Sequence, residues 1–265
     1  SLPMHQMVQL DNYYPIGRRW QLIQGNDVVS VTTAIPRTRH LMEYQADDGG
    51  GGTTKFLLEI RSTVNTIINA VTGANLTGST ITASETALWD HTVFQGILLF
   101  TNGLDTLKET SNGTTYTDTS GSPPSPVKYV EAWKNRVFLA GRNTAVLSVY
   151  YSADADRTTW TGTDAGTEVI TSPVGDYVTG IRSVENYLMI FTRRTMTVLL
   201  GDHPDDWTKR TLFEDHGCSS HRTIAKVNGG LVYANDFGVW MINADLKRQE
   251  LSKDIRSYWA GDNTN

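Results

Sequence analysis

The stretch Phe94-Gln-Gly-Ile-Leu-Leu-Phe100, followed by Thr101-Asn102-Gly103, decides how this chain is read. It is an apolar run of strand length closed by a turn dipeptide, since Asn and Gly both tolerate the positive φ of a tight hairpin. This first copy begins at Trp89 and continues to Asn112-Gly113 and Tyr116. A second copy has Val137-Phe-Leu-Ala140, then Val146 to Tyr151, then Ser152-Ala-Asp-Ala-Asp156 leading to Trp160. A third has Tyr187-Leu-Met-Ile-Phe191, then Met196 to Leu200, then Asp202-His-Pro-Asp-Asp206 leading to Trp207. The fourth has Leu231-Val-Tyr-Ala234, a turn at Asn235-Asp-Phe-Gly238, and Val239-Trp-Met-Ile242.

The strand centres Leu98, Phe138, Met189 and Val232 lie 40, 51 and 43 residues apart, and Trp160 and Trp207 lie 47 apart in equivalent places. Propeller blades repeat at roughly 40–50 residues, and a lone blade cannot cover its own apolar faces. The expected fold is therefore all-β, a β-propeller-like array of four-stranded antiparallel blades. An N-terminal extended segment is expected over 1–27 and the propeller-type domain over 28–265, with blade-like units near 28–87, 88–127, 128–175, 176–218 and 219–250. An irregular β-sandwich of similar hairpins is the competing reading.

The N-terminal third is less regular. Val28 to Ala34, Phe56 to Arg61, Ile67 to Val71, Leu76 and Thr80-Ile-Thr82 read as strand, with Asp47-Asp-Gly-Gly-Gly-Gly52 as a loop tip. Ser120-Gly-Ser-Pro-Pro-Ser-Pro126 reads as a stiff connector between blades, since no central strand accommodates such a run of proline. Leu251, Ile255 and Trp259 recur every four residues, which predicts a short terminal helix with Ser252 as a cap.

Composition narrows the function. Hydrophobic residues make up 39% and charged residues 19% of the 265, a globular balance that argues against disorder. The formal net charge of -5 provides no global basic field for nucleic acid, so any DNA contact is local. Cys218 is the only cysteine, which excludes an intrachain disulfide framework and reads as a buried, inert thiol. The longest apolar runs, such as Tyr187 to Phe191, fall far short of the roughly 20 residues a spanning helix needs, so no membrane segment is expected. Ser1 to Leu10 does not read as a signal peptide, and the sequons at Asn75 and Asn112 are discounted as chance matches in a Thr-rich chain.

No catalytic constellation stands out. The chain has neither a Gly-x-Ser-x-Gly elbow nor a phosphate loop, and none of His5, His40, His91, His203, His216 and His221 forms a paired zinc spacing. The densest cluster, Asp215, His216, Cys218 and His221, fits an exposed turn. No catalytic residue, metal site or cofactor is expected. Ser152, Asp154 and Trp160 resemble the Asp-box hairpin of sialidase-type propellers, with Asp156 where Gly belongs and an extra residue before Trp160; Trp207 marks the equivalent turn. Such a box fixes a turn and does no hydrolysis. The basic residues Arg142, Arg193, Arg194, Lys209 and Arg210 read as solvated turn charge or subunit-interface pairing, with DNA-phosphate contact as the functional alternative.

The run Trp89 to Asp105 with Asn112-Gly113 resembles the blade pattern of phage connector and tail-hub propellers. Trp133-Lys-Asn-Arg-Val-Phe-Leu-Ala-Gly141, Val149-Tyr-Tyr-Ser-Ala153, Gly217-Cys-Ser-Ser-His221, Phe237-Gly-Val-Trp240 and the opening Leu10-Asp-Asn-Tyr-Tyr-Pro15 are similar to the same proteins. That family includes packaged-DNA stabilisation and nozzle proteins of short-tailed phages. The resemblance implies a virion protein made in the host cytoplasm and assembled as a homo-oligomeric ring, usually a hexamer. Its partners would be portal, adaptor and other tail proteins, with transient contact to double-stranded DNA retained in the head and conducted at ejection. The competing classes are a carbohydrate-binding or sialidase-like propeller and a host scaffold propeller.

Overall fold

The apolar runs that carry the repeat become the second strands of successive antiparallel sheets. The structure, a computed structural model, describes residues 13–16, 19–22, 38–47, 50–62, 64–214 and 216–255. It divides into a unit over 1–35 and a unit over 36–265. The first contains a hairpin, β1 (Tyr13–Ile16) against β2 (Arg19–Leu22). The boundary expected at residue 27 and the strand expected over Val28 to Ala34 both lie outside the described residues.

The second unit carries five sheets. Blade 1 is three-stranded: β3 (Thr38–Asp47), β4 (Thr53–Arg61) and β5 (Ile67–Asn69). Blade 2 contains β7 (Asp90–Phe94), β8 (Ile97–Thr101), β9 (Lys108–Thr110) and β10 (Thr115–Asp118), with the two-residue β6 (Thr77–Gly78) added in parallel beyond β10. Blade 3 is the meander β11 (Tyr129–Trp133), β12 (Arg136–Arg142), β13 (Ala145–Tyr151) and β14 (Gly166–Val169). Blade 4 repeats it as β15 (Val178–Val184), β16 (Tyr187–Thr192), β17 (Met196–Leu200) and β18 (Thr208–Phe213). Blade 5 comprises β19 (Ala225–Val227), β20 (Gly230–Asn235), β21 (Gly238–Asn243) and β22 (Arg248–Glu250). This is a β-propeller-like array. Among the described residues no helix is long and apolar enough to cross a membrane.

Burial explains why the second strands are apolar throughout instead of alternating. Leu98 and Phe100 of β8 pack toward blade 1, while Leu99 between them packs with Val130, Val137 and Leu139 of blade 3. Phe138 and Ala140 of β12 turn the other way, onto Leu188, Ile190 and Leu199 of blade 4. Met189 and Phe191 of β16 then meet Leu231, Tyr233 and Ile242 of blade 5. Successive side chains of a strand point to opposite faces, so a strand covered on both faces must be apolar at every position.

The outer faces of the end blades differ from this. In β3 the buried Met42, Tyr44 and Ala46 alternate with the exposed Leu41, Glu43, Gln45 and Asp47. Val232, Val239 and Met241 of blade 5 are half-buried. Among the described residues, none of the four apolar clusters joins blade 5 to blade 1.

Trp160 and Trp207 both sit between the third and fourth strands of their blades. Trp160 enters the layer between blades 2 and 3, and Trp207 enters the layer between blades 3 and 4, against Trp133, Phe138 and Tyr151. Each tryptophan thus wedges its blade against the preceding one.

Several local expectations are corrected. Thr77–Gly78 pairs with blade 2, outside the 28–87 unit's own sheet, because Gly78 lies against Tyr116 so closely that a Cβ would fall 2.4 Å from its carbonyl oxygen. Leu76 and Thr80-Ile-Thr82 are not strand, although Leu76 and Ile81 are buried in the layer between blades 1 and 2. Of the expected C-terminal helix, the described residues show a 3-10 turn at Lys253–Ile255, and Trp259 lies outside them. Ser252, expected as its cap, accepts the Val239 N–H on its Oγ at 3.0 Å. The Ser120–Pro126 connector joins β10 to β11, and Gly121, at φ +80, leaves no room for a Cβ beside Thr158.

Two substitutions test the two-sided burial. Phe138→Ala should destabilise the chain by about 3–5 kcal/mol in denaturant unfolding, the usual cost of a buried Phe-sized cavity. Leu41→Ala, on the exposed face of β3, should change stability by less than about 0.5 kcal/mol.

Candidate functional site

The first strands of the blades lie innermost, and their side chains bring charge together where the five blades converge. The residues are His40 on β3, Asp90 and His91 on β7, Glu131 on β11, Arg182 on β15, and His221 and Lys226 at and just before β19. Asp90 and Glu131 are 1% and 3% exposed. A carboxylate so buried must be paired and hydrogen-bonded, since desolvation of an isolated charge costs several kcal/mol.

The pairing follows the blade order. Asp90 Oδ2 accepts the Val130 N–H of blade 3 at 2.8 Å, and Glu131 Oε1 accepts the Ser183 N–H and hydroxyl of blade 4 at 3.1 and 2.6 Å. Each carboxylate therefore holds the backbone of the next inner strand. Arg182 reaches back across the centre, with Nη2 donating to Asp90 Oδ1 at 2.6 Å and Nη1 to Oδ2 at 3.2 Å, and lies 3.6 Å from Glu131. Lys226 adds a 2.6 Å bond to Glu131 from blade 5. His221 Nε2 lies 2.9 Å from Asp90 Oδ1 and 2.7 Å from Arg182 Nη2, so it donates to the carboxylate or accepts from the guanidinium, one at a time.

The electrostatics follow from this arrangement. Burial opposes the charge on Asp90, but His221 and Arg182 beside it outweigh burial and hold its carboxyl well below the usual range. Asp90 and Glu131 likewise raise Arg182 against its own desolvation. His40 Nε2 and His91 Nδ1 are 2.9 Å apart. Desolvation, reinforced by His91, lowers His40 to about 4, and desolvation also lowers His91.

The residues named from sequence fall elsewhere. Ser152 Oγ accepts the Val137 N–H at 3.0 Å, and the Asp154 carboxylate takes only the Asn135 side chain, at 3.2 Å. The turn before Trp160 is held by Asp156, which accepts the Thr158 N–H and hydroxyl at 2.7 and 2.6 Å and is lowered to about 2 by its Thr hydrogen bonds. Asp156, the departure from the Asp-box pattern, is thus the turn's organiser. Arg136 is 1% exposed and donates to Ser152 O at 2.9 Å and to Asp164.

Arg142 ends β12 and, with Lys128, lines a cleft of about 350 Å³ between blades 3 and 4. Asp176 lines the same cleft and accepts the backbone N–H groups of Arg193 and Arg194, at 3.0 and 3.3 Å, leaving both side chains exposed. Lys209 pairs with Glu168 at 2.7 Å, tying the outer strand of blade 4 to that of blade 3, and Arg210 beside it is exposed. The supposed basic set is therefore divided between one cleft and one outer edge.

The Asp215–His221 cluster also separates. His216 stacks on Trp240, Cys218 is fully buried with its thiol pushed up by desolvation, and His221 joins the axial network. Among the described residues no three His, Cys, Asp or Glu side chains gather as a metal site. The axial set escaped the sequence reading because its members are scattered singly along the chain. The signal available was a charge inside an apolar run, as in Tyr129-Val-Glu131-Ala-Trp133 and Gly180-Ile-Arg182.

Two outcomes check this network. Asp90→Asn should cost about 3–5 kcal/mol in denaturant unfolding, because it strands Arg182 in a buried site. On acidification, unfolded histidine takes up a proton near pH 6.5 while folded His40 resists until about 4. Stability should therefore fall as pH drops from about 6.5 to about 4, by on the order of 2–3 kcal/mol. His40→Gln should flatten that slope in pH-resolved thermal melts.

No family model and no curated protein matches the chain. Among solved structures, PorZ, an essential bacterial surface component of the type-IX secretion system of Porphyromonas gingivalis, superposes with TM-score 0.50 at 13% identity. That match covers 74% of this chain and 25% of PorZ. The computationally designed Ika8 protein gives 0.47 at 14% identity over 74% of this chain and 57% of its own. The WD40 domain of Neurospora crassa Pan2 gives 0.48 at 10%, covering 81% and 65%. The chain thus spans about a quarter of PorZ and under two thirds of the designed protein. At such identities the likeness concerns the fold alone.

Proposed function

We propose that the protein is a non-enzymatic structural component of a tailed-phage virion, a subunit of a homo-oligomeric ring at the head-to-tail connector or tail nozzle. The ring, hexameric in the resembling family, would join portal, adaptor and other tail proteins, help retain packaged DNA and conduct it outward. The observation that carries this reading is the basic rim of the cleft between blades 3 and 4. Arg142 and Lys128 line it, and Asp176 in its wall fixes the turn that presents Arg193 and Arg194. By the alternation of antiparallel strands, the β12–β13 and β16–β17 turns share one face of the array. Exposed cations on one face suit phosphate contacts or acidic partner surfaces, whereas the net charge of -5 keeps such contact local and salt-sensitive.

The propeller's own axis is a poor conduit. Arg182 crosses it to Asp90, and Lys226 crosses it to Glu131. A duplex would therefore run through the lumen between subunits. The same saturation of Asp90 and Glu131 supports a role without bond chemistry. A carbohydrate-binding reading gains little from the described tryptophans, since Trp89, Trp133, Trp160 and Trp240 are buried and Trp207 packs between blades.

The test replaces Arg193 and Arg194 together by Ala. Because Asp176 holds this turn through backbone N–H groups, the double variant should melt close to the parent, exposed charges contributing under about 1 kcal/mol each. Particles assembled with it should lose ring integrity or packaged DNA. Normal rings with full DNA content would remove these arginines from the mechanism, and a chain that stays monomeric at particle-like concentrations would overturn the connector reading.

A further inference from the structure

A second cleft, of about 420 Å³, opens where blades 1, 2, 4 and 5 approach the axial network. Its charge is one-sided. Arg39, Arg182 and Arg222 border it, beside His40 and His91 that burial holds toward the neutral form, against the single carboxylate of Asp90. Asp90 is already taken up by Arg182, the Val130 N–H and His221. Arg182 is likewise committed to its carboxylates.

The other two guanidiniums are not committed. Arg39 Nε is buried and has no hydrogen-bond partner among the described residues. A buried N–H left without an acceptor is costly, and the cost is greater for a charged group, so an oxygen placed in the cleft would relieve it. Arg222 is exposed, and among the described residues it takes part in no ion pair. Planar guanidinium forks present parallel N–H donors that match the oxygens of carboxylate or phosphate groups.

We propose that this cleft binds a small oxyanion-bearing ligand, of the carboxylate or phosphate class, held between Arg39 and Arg222. The bound oxyanion completes the donor set of Arg39 and neutralises the cationic mouth of the array. Arg182 sets the depth of the site by keeping Asp90 neutralised, so that the ligand does not face a bare carboxylate. The inference is independent of the virion reading, since it concerns a small-molecule site at the axial end and not the cleft between blades 3 and 4.

The experiment is calorimetric titration and thermal melting of the full chain with inorganic phosphate and, separately, with citrate, at an ionic strength held constant with sodium chloride. Saturable binding of at least one, with a raised Tm, is expected. Selectivity for phosphate assigns a tetrahedral oxyanion and selectivity for citrate a planar carboxylate group; either supports the site. R39Q and R222Q should each weaken binding by about tenfold or more, the scale of one charge-assisted hydrogen bond. R210Q, an exposed arginine on the outer strand of blade 4, should leave it unchanged. R222Q alters only an exposed side chain, so it decides the matter even if R39Q folds poorly. Failure of both anions to saturate, or equal affinity in R222Q and the parent, would overturn the proposal.

Discussion

A four-stranded sheet has two faces, and an isolated blade can cover neither. That constraint organises everything else in the chain. Every interior blade presents a second strand with an unbroken apolar stretch at its centre, and each such strand serves two layers at once, as Leu98 and Phe100 serve one and Leu99 the other. Burying a side chain of this size is worth about 1.5–3 kcal/mol, so the layers supply the main driving force and no blade gains it alone. The tryptophans before the fourth strands extend the same layers outward. Cooperativity between neighbours is the result.

The centre of the array follows a different rule. Apolar layers set the spacing between blades, but the inner strands are held in register by carboxylates that accept the next strand's backbone N–H. Asp90 does this for β11 and Glu131 for β15. These ions are buried at the cost of their hydration, and Arg182 offsets that cost from the far side. Buried ion pairs contribute little net stability compared with apolar substitutes, and their value here lies in fixing which strand sits beside which. The histidine pair His40 and His91 adds a pH-sensitive element to the same region.

Much of the fold was readable in the sequence because burial on two sides leaves an unmistakable run, as in Val137-Phe-Leu-Ala140. The N-terminal blade was harder to read. Its strand β3 alternates, since one face of it is exposed, and its partner segment at Thr77–Gly78 joins a different sheet. Leu76 and Ile81 are core residues without being strand, and hydrophobicity alone does not separate the two. The turn tryptophans were legible as a pair, while the carboxylate that fixes the first of these turns is Asp156 and not Asp154. The axial network was invisible for a simpler reason. Its members are single charges from separate blades, and only the packing of one blade against the next makes them neighbours.

The anchoring of the Arg193–Arg194 turn has an evolutionary consequence. Asp176 grips that turn by its backbone N–H groups, which any two residues other than proline would supply. The shape of the loop is therefore inherited separately from the chemistry it displays. Side chains there can drift toward a new partner's surface while the scaffold beneath them stays fixed, and a mutation that spoils recognition need not reduce the amount of folded protein. The blade carries a fixed socket with exchangeable contents, which allows a propeller to keep its architecture while the surface it docks against changes.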